Sequence, residues 1–347
     1  MPEPNSPGPQ GPCQVQAAEA DTRAAAQHAG RPPLTLMIDS PNGRAGLQVC
    51  GSLLAEIDYG PEHRQYPSHP QRLLVGLEVL SQPPVREVWR APGPVVCGWQ
   101  DGIGYAQSSG LLFAHLALDE VWSADPAERV YRAYGLLLNF IRSRGCPHPL
   151  RVWNVLSHIH TEVGSLDGYQ AFCVGRERAL QQAGIAPAAF PAATAVGAQS
   201  PGLLIYLFAA DAPGIPVENP RQVSAYRYPP RYGPTPPSFA RALRYHTAGG
   251  SLLFISGTAS VVAHRSLHPG QLGAQLRETL ANLDALLIQA PAGQPNFLKV
   301  FLRDPRRLTE ARAALGHWAT PSVPILYLRA DVCRRELEVE IEGVCSR

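Results

Sequence analysis

The sequence predicts an α+β protein of two related α/β layers, each a mixed sheet with helices packed on one face. Two observations carry that prediction. Strand and helix patterns run in one order (strand, helix, strand, helix, strand) and then run through it again. The helical segments each carry one apolar face and the strands are short apolar runs, so each layer has a sheet face and helices to cover it. The alternative is one large α/β domain without a true repeat.

In chain order, residues 1–33 are rich in Pro, Gly, Ala and Gln and lack an apolar period. Too little apolar surface is present there to offset ordering entropy, which predicts a disordered tail. A strand is expected at Gly110–Ala114, then a helix from about Pro126 with Val130, Tyr134, Leu137, Leu138 and Ile141 on one face. Leu150–Leu156 reads as a strand, Tyr169–Ala183 as a helix and Leu203–Phe208 as a strand. The second pass has Leu252–Ser256 as a strand and a helix opened by Pro269, with Leu272, Leu276, Leu280, Leu283 and Leu287 aligned. Phe297–Leu302, a helix Pro305–His317 and Val323–Leu328 follow, and Leu337–Ile341 closes by strict alternation. Between the passes, Val217–Arg241 is dense in Pro, Tyr and Arg and cannot form a regular element. The expected division is 1–33 as tail, 34–215 as N-terminal domain and 216–347 as C-terminal domain.

At 347 residues the chain is long for one domain and comfortable for two. Charged residues are 17% and the net charge is only +2, so no global field attracts nucleic acid or an anionic membrane. An anionic ligand must be held by local arginines. Seven scattered cysteines without a C-x-x-C pair indicate neither a disulfide framework nor a zinc site. With no apolar leader or membrane span in view, a soluble protein of the reducing cytoplasm is expected.

Three features could carry chemistry. Glu218–Pro234 holds three tyrosines and three arginines on a Pro-stiffened segment. It either presents a planar anion with hydrogen bonds at low entropic cost or is a linker whose aromatics seal the two halves. Ser256–Gly257–Thr258 ends a strand, where small residues either let a ligand approach or simply make a bulge. On the last strand Glu336, Glu338, Glu340 and Glu342 share one face, which is either solvated or, at Glu340, turned into a dry pocket that would make it a proton donor. Cys333, seven residues earlier, is a nucleophile, a hydrogen-bond partner or inert packing. His158 and His160 would share a strand face, with no third metal ligand placed by spacing.

At these residues the chain resembles two related families. Tyr232–Pro234, Phe254–Gly257, Gln275–Leu283 and Val339–Glu342 are similar to the YjgF-like (chorismate-mutase-like) fold of reactive-intermediate deaminases. Over 34–347 it more closely resembles the chorismatases, through Arg151–Asn154, Phe172–Arg176, Pro191–Thr194, Glu218–Pro234, Ser238–Ala242 and Ser256–Val262. The resemblance implies a degenerate YjgF-like domain followed by a catalytic one. Ile325 stands where the deaminases place their carboxylate-binding arginine, so deamination is not expected. After Asn154 this chain reads Val155–His160 where chorismatases tend to have Tyr and an Asp-Ile-Asn run, which leaves His158 and His160 without a role.

For a chorismatase the resemblance implies that Glu340 protonates the enolpyruvyl methylene of chorismate. Arg241, Tyr226 and Tyr232 would hold the substrate, with Gly257, Thr258 and Arg151 also in contact. Glycine at 257 and cysteine at 333 match the type that attacks with the ring hydroxyl and aromatises. The expected products are pyruvate and 3-hydroxybenzoate, with 4-hydroxybenzoate as a possible second product. The only partner implied is the small-molecule substrate, on a monomer or homotrimer, with no metal or organic cofactor needed. The rivals are a hydrolase giving a dihydroxycyclohexadiene carboxylate, and a non-catalytic sensor of aromatic metabolites.

Overall fold

The computed structural model describes residues 34–39, 51–81, 85–119, 125–247, 250–290 and 292–346; the expected tail 1–33 lies outside them. Two six-stranded sheets dominate. In spatial order the first, the middle sheet, is Val96–Gln100, Ile103–Ser108, Leu111–Leu118, Leu203–Ala210, His148–Leu156 and Ala192–Gly197. The second, the C-terminal sheet, is Ile215–Val217, Ala242–Thr247, Gly250–Ala259, Val339–Ser346, Phe297–Leu302 and Ile325–Arg329. Numbered by sequence within each sheet, both have the same spatial order, and in both the last pair is parallel while the other pairs are antiparallel. The repeat is therefore real, and both sheets are mixed as expected.

One equivalence shifts. The pattern matched Leu203–Phe208 with Val323–Leu328, but Leu203–Ala210 occupies the place of Val339–Ser346. The partner of Ile325–Arg329 is Ala192–Gly197, which carried no strand signal. That strand is Ala-Ala-Thr-Ala-Val-Gly, buried almost throughout, and small side chains at a crowded edge do not look like a strand from sequence.

Helices Pro126–Ser143 and Gly168–Gln182 cover one face of the middle sheet, and Leu272–Gln289 and Leu308–Trp318 cover one face of the C-terminal sheet. Asp125 caps the first through the backbone N–H of Glu128, and Asp167 with Gln170 forms a capping box on the second. The apolar stripe of the third helix packs Leu272, Leu276, Leu280 and Leu283 on Leu253, Leu298 and Ile341. Leu276 is fully buried, and its loss to Ala would cost about 2–5 kcal/mol.

The opposite faces of both sheets turn inward. Phe113, Tyr206 and Phe208 meet Phe254, Phe301 and Leu328 in one core. Its third side is a five-stranded sheet, ordered Thr35–Asp39, Arg86–Ala91, Ser52–Tyr59, Arg72–Val75 and Arg64–Gln65, which contributes Leu54, Ile57 and Trp89. This sheet was not foreseen. Three sheets thus enclose one core, and helices clad two of them from outside.

Candidate active site

A cavity of about 270 Å³ opens between the two repeats. The middle repeat supplies one wall: its second helix presents Tyr169, Phe172, Cys173 and Arg176, and its edge strand presents Thr194. The C-terminal repeat supplies Gly257 and Glu340, and the loops Gln222–Arg241 and Cys333–Leu337 close the mouth. All of these residues come from one chain.

Strand Gly250–Ala259 positions the floor. Its register against the last strand passes from Ile255↔Gly343 to Thr258↔Ile341, so Ser256 and Gly257 together oppose Glu342 as a β-bulge. The bulge brings Gly257 against the Glu340 carboxyl: a Cβ built on Gly257 would lie 1.9 Å from Glu340 Oε1. Glycine at 257 is a matter of space. The backbone N–H of Gly257 donates to Thr194 Oγ1 at 3.0 Å, tying the bulge to the other repeat.

Glu340 is 4% exposed, so the dry pocket is the outcome and the solvated face is not. Burial first, then the charge of Glu342, pushes its pKa up to about 8, while Arg151 and Arg241 pull the other way. Most Glu340 side chains therefore hold a proton at neutral pH. Cys333 lines the same cavity, and burial and the nearby Glu340 push its thiol up to about 12. A thiol so far from ionisation is not poised as a nucleophile, which leaves packing and hydrogen bonding.

Arginines surround this acid. Arg241, 5% exposed, donates to Val223 O at 2.8 Å and to Tyr228 Oη at 2.6 Å, while its buried Nε has no protein partner. Arg334 donates to His264 O at 2.9 Å and to Ser266 Oγ at 3.0 Å, and stacks 3.9 Å from the centre of the Tyr232 ring. Its Nη2 is buried and unpartnered, as are Nε and Nη2 of Arg176. Buried N–H donors without partners are costly unless a ligand supplies acceptors. The cavity is thus prepared for an anion.

Of the site candidates named from the sequence, Glu340, Cys333, Tyr232, Arg241 and Gly257 line this cavity. Three expected contacts do not. Tyr226 packs edge-on against Phe190, and Tyr228 lines the cavity instead. Thr258 turns its hydroxyl onto Ser256 O at 2.9 Å. Arg151 is buried behind the wall, paired with Glu342 at 2.6 Å. Two 3-10 turns at Ala225–Arg227 and Pro230–Tyr232 decide which tyrosine faces in, and spacing alone does not reveal them.

Nor do His158 and His160 share a strand face, because the strand ends at Leu156. His158 is exposed in a turn with φ 56°, whereas His160 faces the cavity and takes a hydrogen bond on Nε2 from Arg303. Arg303 also binds Asp331, Val332 O, Arg334 O and Arg335 O, so His160 braces the loop that carries Cys333. Among the described residues, no three His, Cys, Asp or Glu side chains converge as metal ligands. Arg334, Arg176 and Tyr169 were missed; the Arg-Arg pair directly after Cys333 was the available signal for the first.

Comparison with known proteins agrees with this architecture. The family model described as "Chorismatase FkbO/Hyg5-like, N-terminal" matches residues 87–209. A chorismatase of Streptomyces hygroscopicus is 35% identical over 274 residues, 75% of this chain and 79% of the relative. A 3-hydroxybenzoate synthase of the same species is 33% identical over 326 residues, 87% of this chain and 95% of the relative. A crystal structure of a chorismatase superposes with a TM-score of 0.82 at 31% identity, covering 90% of this chain and 98% of that one. The chain belongs to the chorismatase family.

Proposed function

We propose that this protein converts chorismate to pyruvate and 3-hydroxybenzoate, with Glu340 as the general acid. The observation that carries the reading is a carboxyl, Glu340, buried inside a cavity walled by arginines with free N–H groups, where burial pushes its pKa up to about 8. Chorismate bears two carboxylates, an enolpyruvyl ether and a neighbouring ring hydroxyl. Arg241, Arg334 and Arg176 bind the carboxylates, and Tyr232 and Tyr228 border the ring.

Glu340 gives its proton to the enol methylene, and the side chain becomes an oxocarbenium ion beside the new carboxylate. The ring hydroxyl oxygen then attacks the ether-bearing ring carbon as the C–O bond breaks and pyruvate leaves. The hydroxyl proton returns to Glu340. The epoxide-like species then opens at the carbon that had borne the hydroxyl, the hydrogen on the other epoxide carbon leaves as a proton, a proton is returned to the oxygen, and the ring becomes aromatic as 3-hydroxybenzoate. The atoms of chorismate equal those of the two products, so no water is consumed. Holding nucleophile, leaving group and acid in one pose supplies much of the rate. Cys333 and Gly257 shape the space beside Glu340 and favour internal attack over water.

The residues 34–215 and 216–347 then form a supporting and a catalytic half. Among the described residues Cys97, Cys146, Cys173, Cys333 and Cys345 are free thiols, which suits a reducing cytoplasm. The test is incubation with chorismate, with pyruvate measured enzymatically and aromatic products separated by chromatography. Equal amounts of pyruvate and 3-hydroxybenzoate are expected. Pyruvate with a diene diol would make the protein a hydrolase, and binding without pyruvate would make it a sensor.

A further inference from the structure

We infer that Glu342, locked behind the cavity wall by Arg151, Lys299 and Trp153, is a positioning residue that keeps the proton on Glu340. The inference rests on Glu340 being the acid and explains how it stays one.

Glu342 does not line the cavity and is 2% exposed. Its Oε2 accepts from Arg151 Nη2 at 2.6 Å, and its Oε1 accepts from Trp153 Nε1 at 2.7 Å and Lys299 Nζ at 2.8 Å. Lys299 also binds Glu87 at 2.9 Å and Tyr59 Oη at 3.0 Å, and Trp89 donates to Glu87 at 3.3 Å. The network draws on all three sheets. Its two cations and two carboxylates cancel, which lets four charges sit in a dry core. Burial opposes the charge on Glu342, but Lys299 and Arg151 outweigh it and hold this carboxyl below the usual range.

Glu340 is two residues away on the same face of the same strand, outside that balance. The groups facing it are Glu342 on its own strand, Arg151 from the middle sheet, Arg241 from the loop, Cys333 and Arg334 from the second loop and, on the helix wall, Tyr169 and Arg176. Among these, Glu342 is the permanent anion. A second negative charge at Glu340 would meet it across about 7 Å of strand, which at an effective dielectric near 20 amounts to ~1.7 pH units. Thr194 links the two parts: its Oγ1 accepts from Arg151 at 2.6 Å and from the Gly257 backbone N–H at 3.0 Å. The ion network thereby also holds the bulge on which the Glu340 carboxyl rests.

The experiment is the pH dependence of kcat/KM for pyruvate release by Glu342→Gln. Loss of the anion should move the alkaline limb down by more than one pH unit, and Glu342→Asp should restore it. The double variant Glu342→Gln/Lys299→Met, which removes one charge of each sign and guards against misfolding of the single variant, also loses a cation that pulls the other way, so its limb should move down by less than that of the single variant. A limb within a few tenths of a unit of wild type in the folded single variant, or a double-variant limb no lower than wild type, overturns the inference. Glu340→Gln, assayed alongside, separates the two levels. If it is inactive while the limb stays put, only the role of Glu342 fails; if it turns over like wild type, the acid assignment itself has failed.

Discussion

The middle and C-terminal sheets share one topology and differ at the strand that matters most. In the middle sheet this strand is Leu203–Ala210, and its inward positions Leu204, Tyr206, Phe208 and Ala210 all join the apolar core. In the C-terminal sheet it is Val339–Ser346, with Glu340 and Glu342 at inward positions and only Val344 in that core. Its neighbour differs as well. Leu111–Leu118 pairs with Leu203–Ala210 without interruption, whereas Gly250–Ala259 bulges at Ser256–Gly257. One copy of the fold is spent on packing; the other accepts buried carboxylates and an irregular strand, and carries the site. The packed copy still contributes a helix wall and the arginine that neutralises Glu342.

That contrast can be broken at several points. Short of removing the acid itself, filling the bulge should slow turnover most. Gly257→Ala places a methyl on the Glu340 carboxyl, and displacing the acid by about 1 Å should lower kcat on the order of 100-fold with an unchanged circular dichroism spectrum. A variant with wild-type kcat would show that Glu340 has room to yield. Arg334→Met removes a guanidinium with a free N–H while keeping bulk over Tyr232. It should raise KM for chorismate about 10-fold or more, and titration calorimetry should show the same loss in binding.

Cys333→Ala should alter the product ratio towards the diene diol more than it slows the enzyme, since its thiol is not ionised. An unchanged chromatogram would remove Cys333 from product selection. The last of these effects is on stability and not on turnover. Below about pH 4.5 the folded and unfolded chains both hold the Glu340 proton. As pH rises to about 8 the folded protein keeps a proton that the unfolded chain has released, so stability falls across that window. Glu340→Gln should therefore gain up to ~4 kcal/mol over wild type in urea unfolding between pH 4.5 and 8.5. An equal difference at both pH values would mean that Glu340 titrates as an exposed side chain does.

The helices were legible because each has one buried stripe, and Val130, Leu137 and Ile141 or Leu272, Leu276 and Leu283 lie where 3.6-residue periodicity puts them. The last strand was legible as alternation, but alternation says only that Glu340 and Glu342 share a face. Whether that face is wet depends on what another sheet packs against it, and the resemblance to chorismatases, not the pattern, selected Glu340. Ala192–Gly197 was invisible because its burial selects small residues. The first sheet carries Glu56, Asp58, Arg72 and Arg86, whose ion pairs across neighbouring strands leave a charged face that obscures its apolar one. Tyr226 and Tyr228 differ by two residues, and the 3-10 turns Ala225–Arg227 and Pro230–Tyr232 on either side of Tyr228 decide which one reaches the cavity.

The most direct test of the account is turnover by Glu340→Gln with chorismate at pH 7, alongside measured chorismate binding. Glutamine keeps the size of the side chain but has no proton to give, so pyruvate release should fall by about 1,000-fold or more while binding persists. Pyruvate release at the wild-type rate would contradict it.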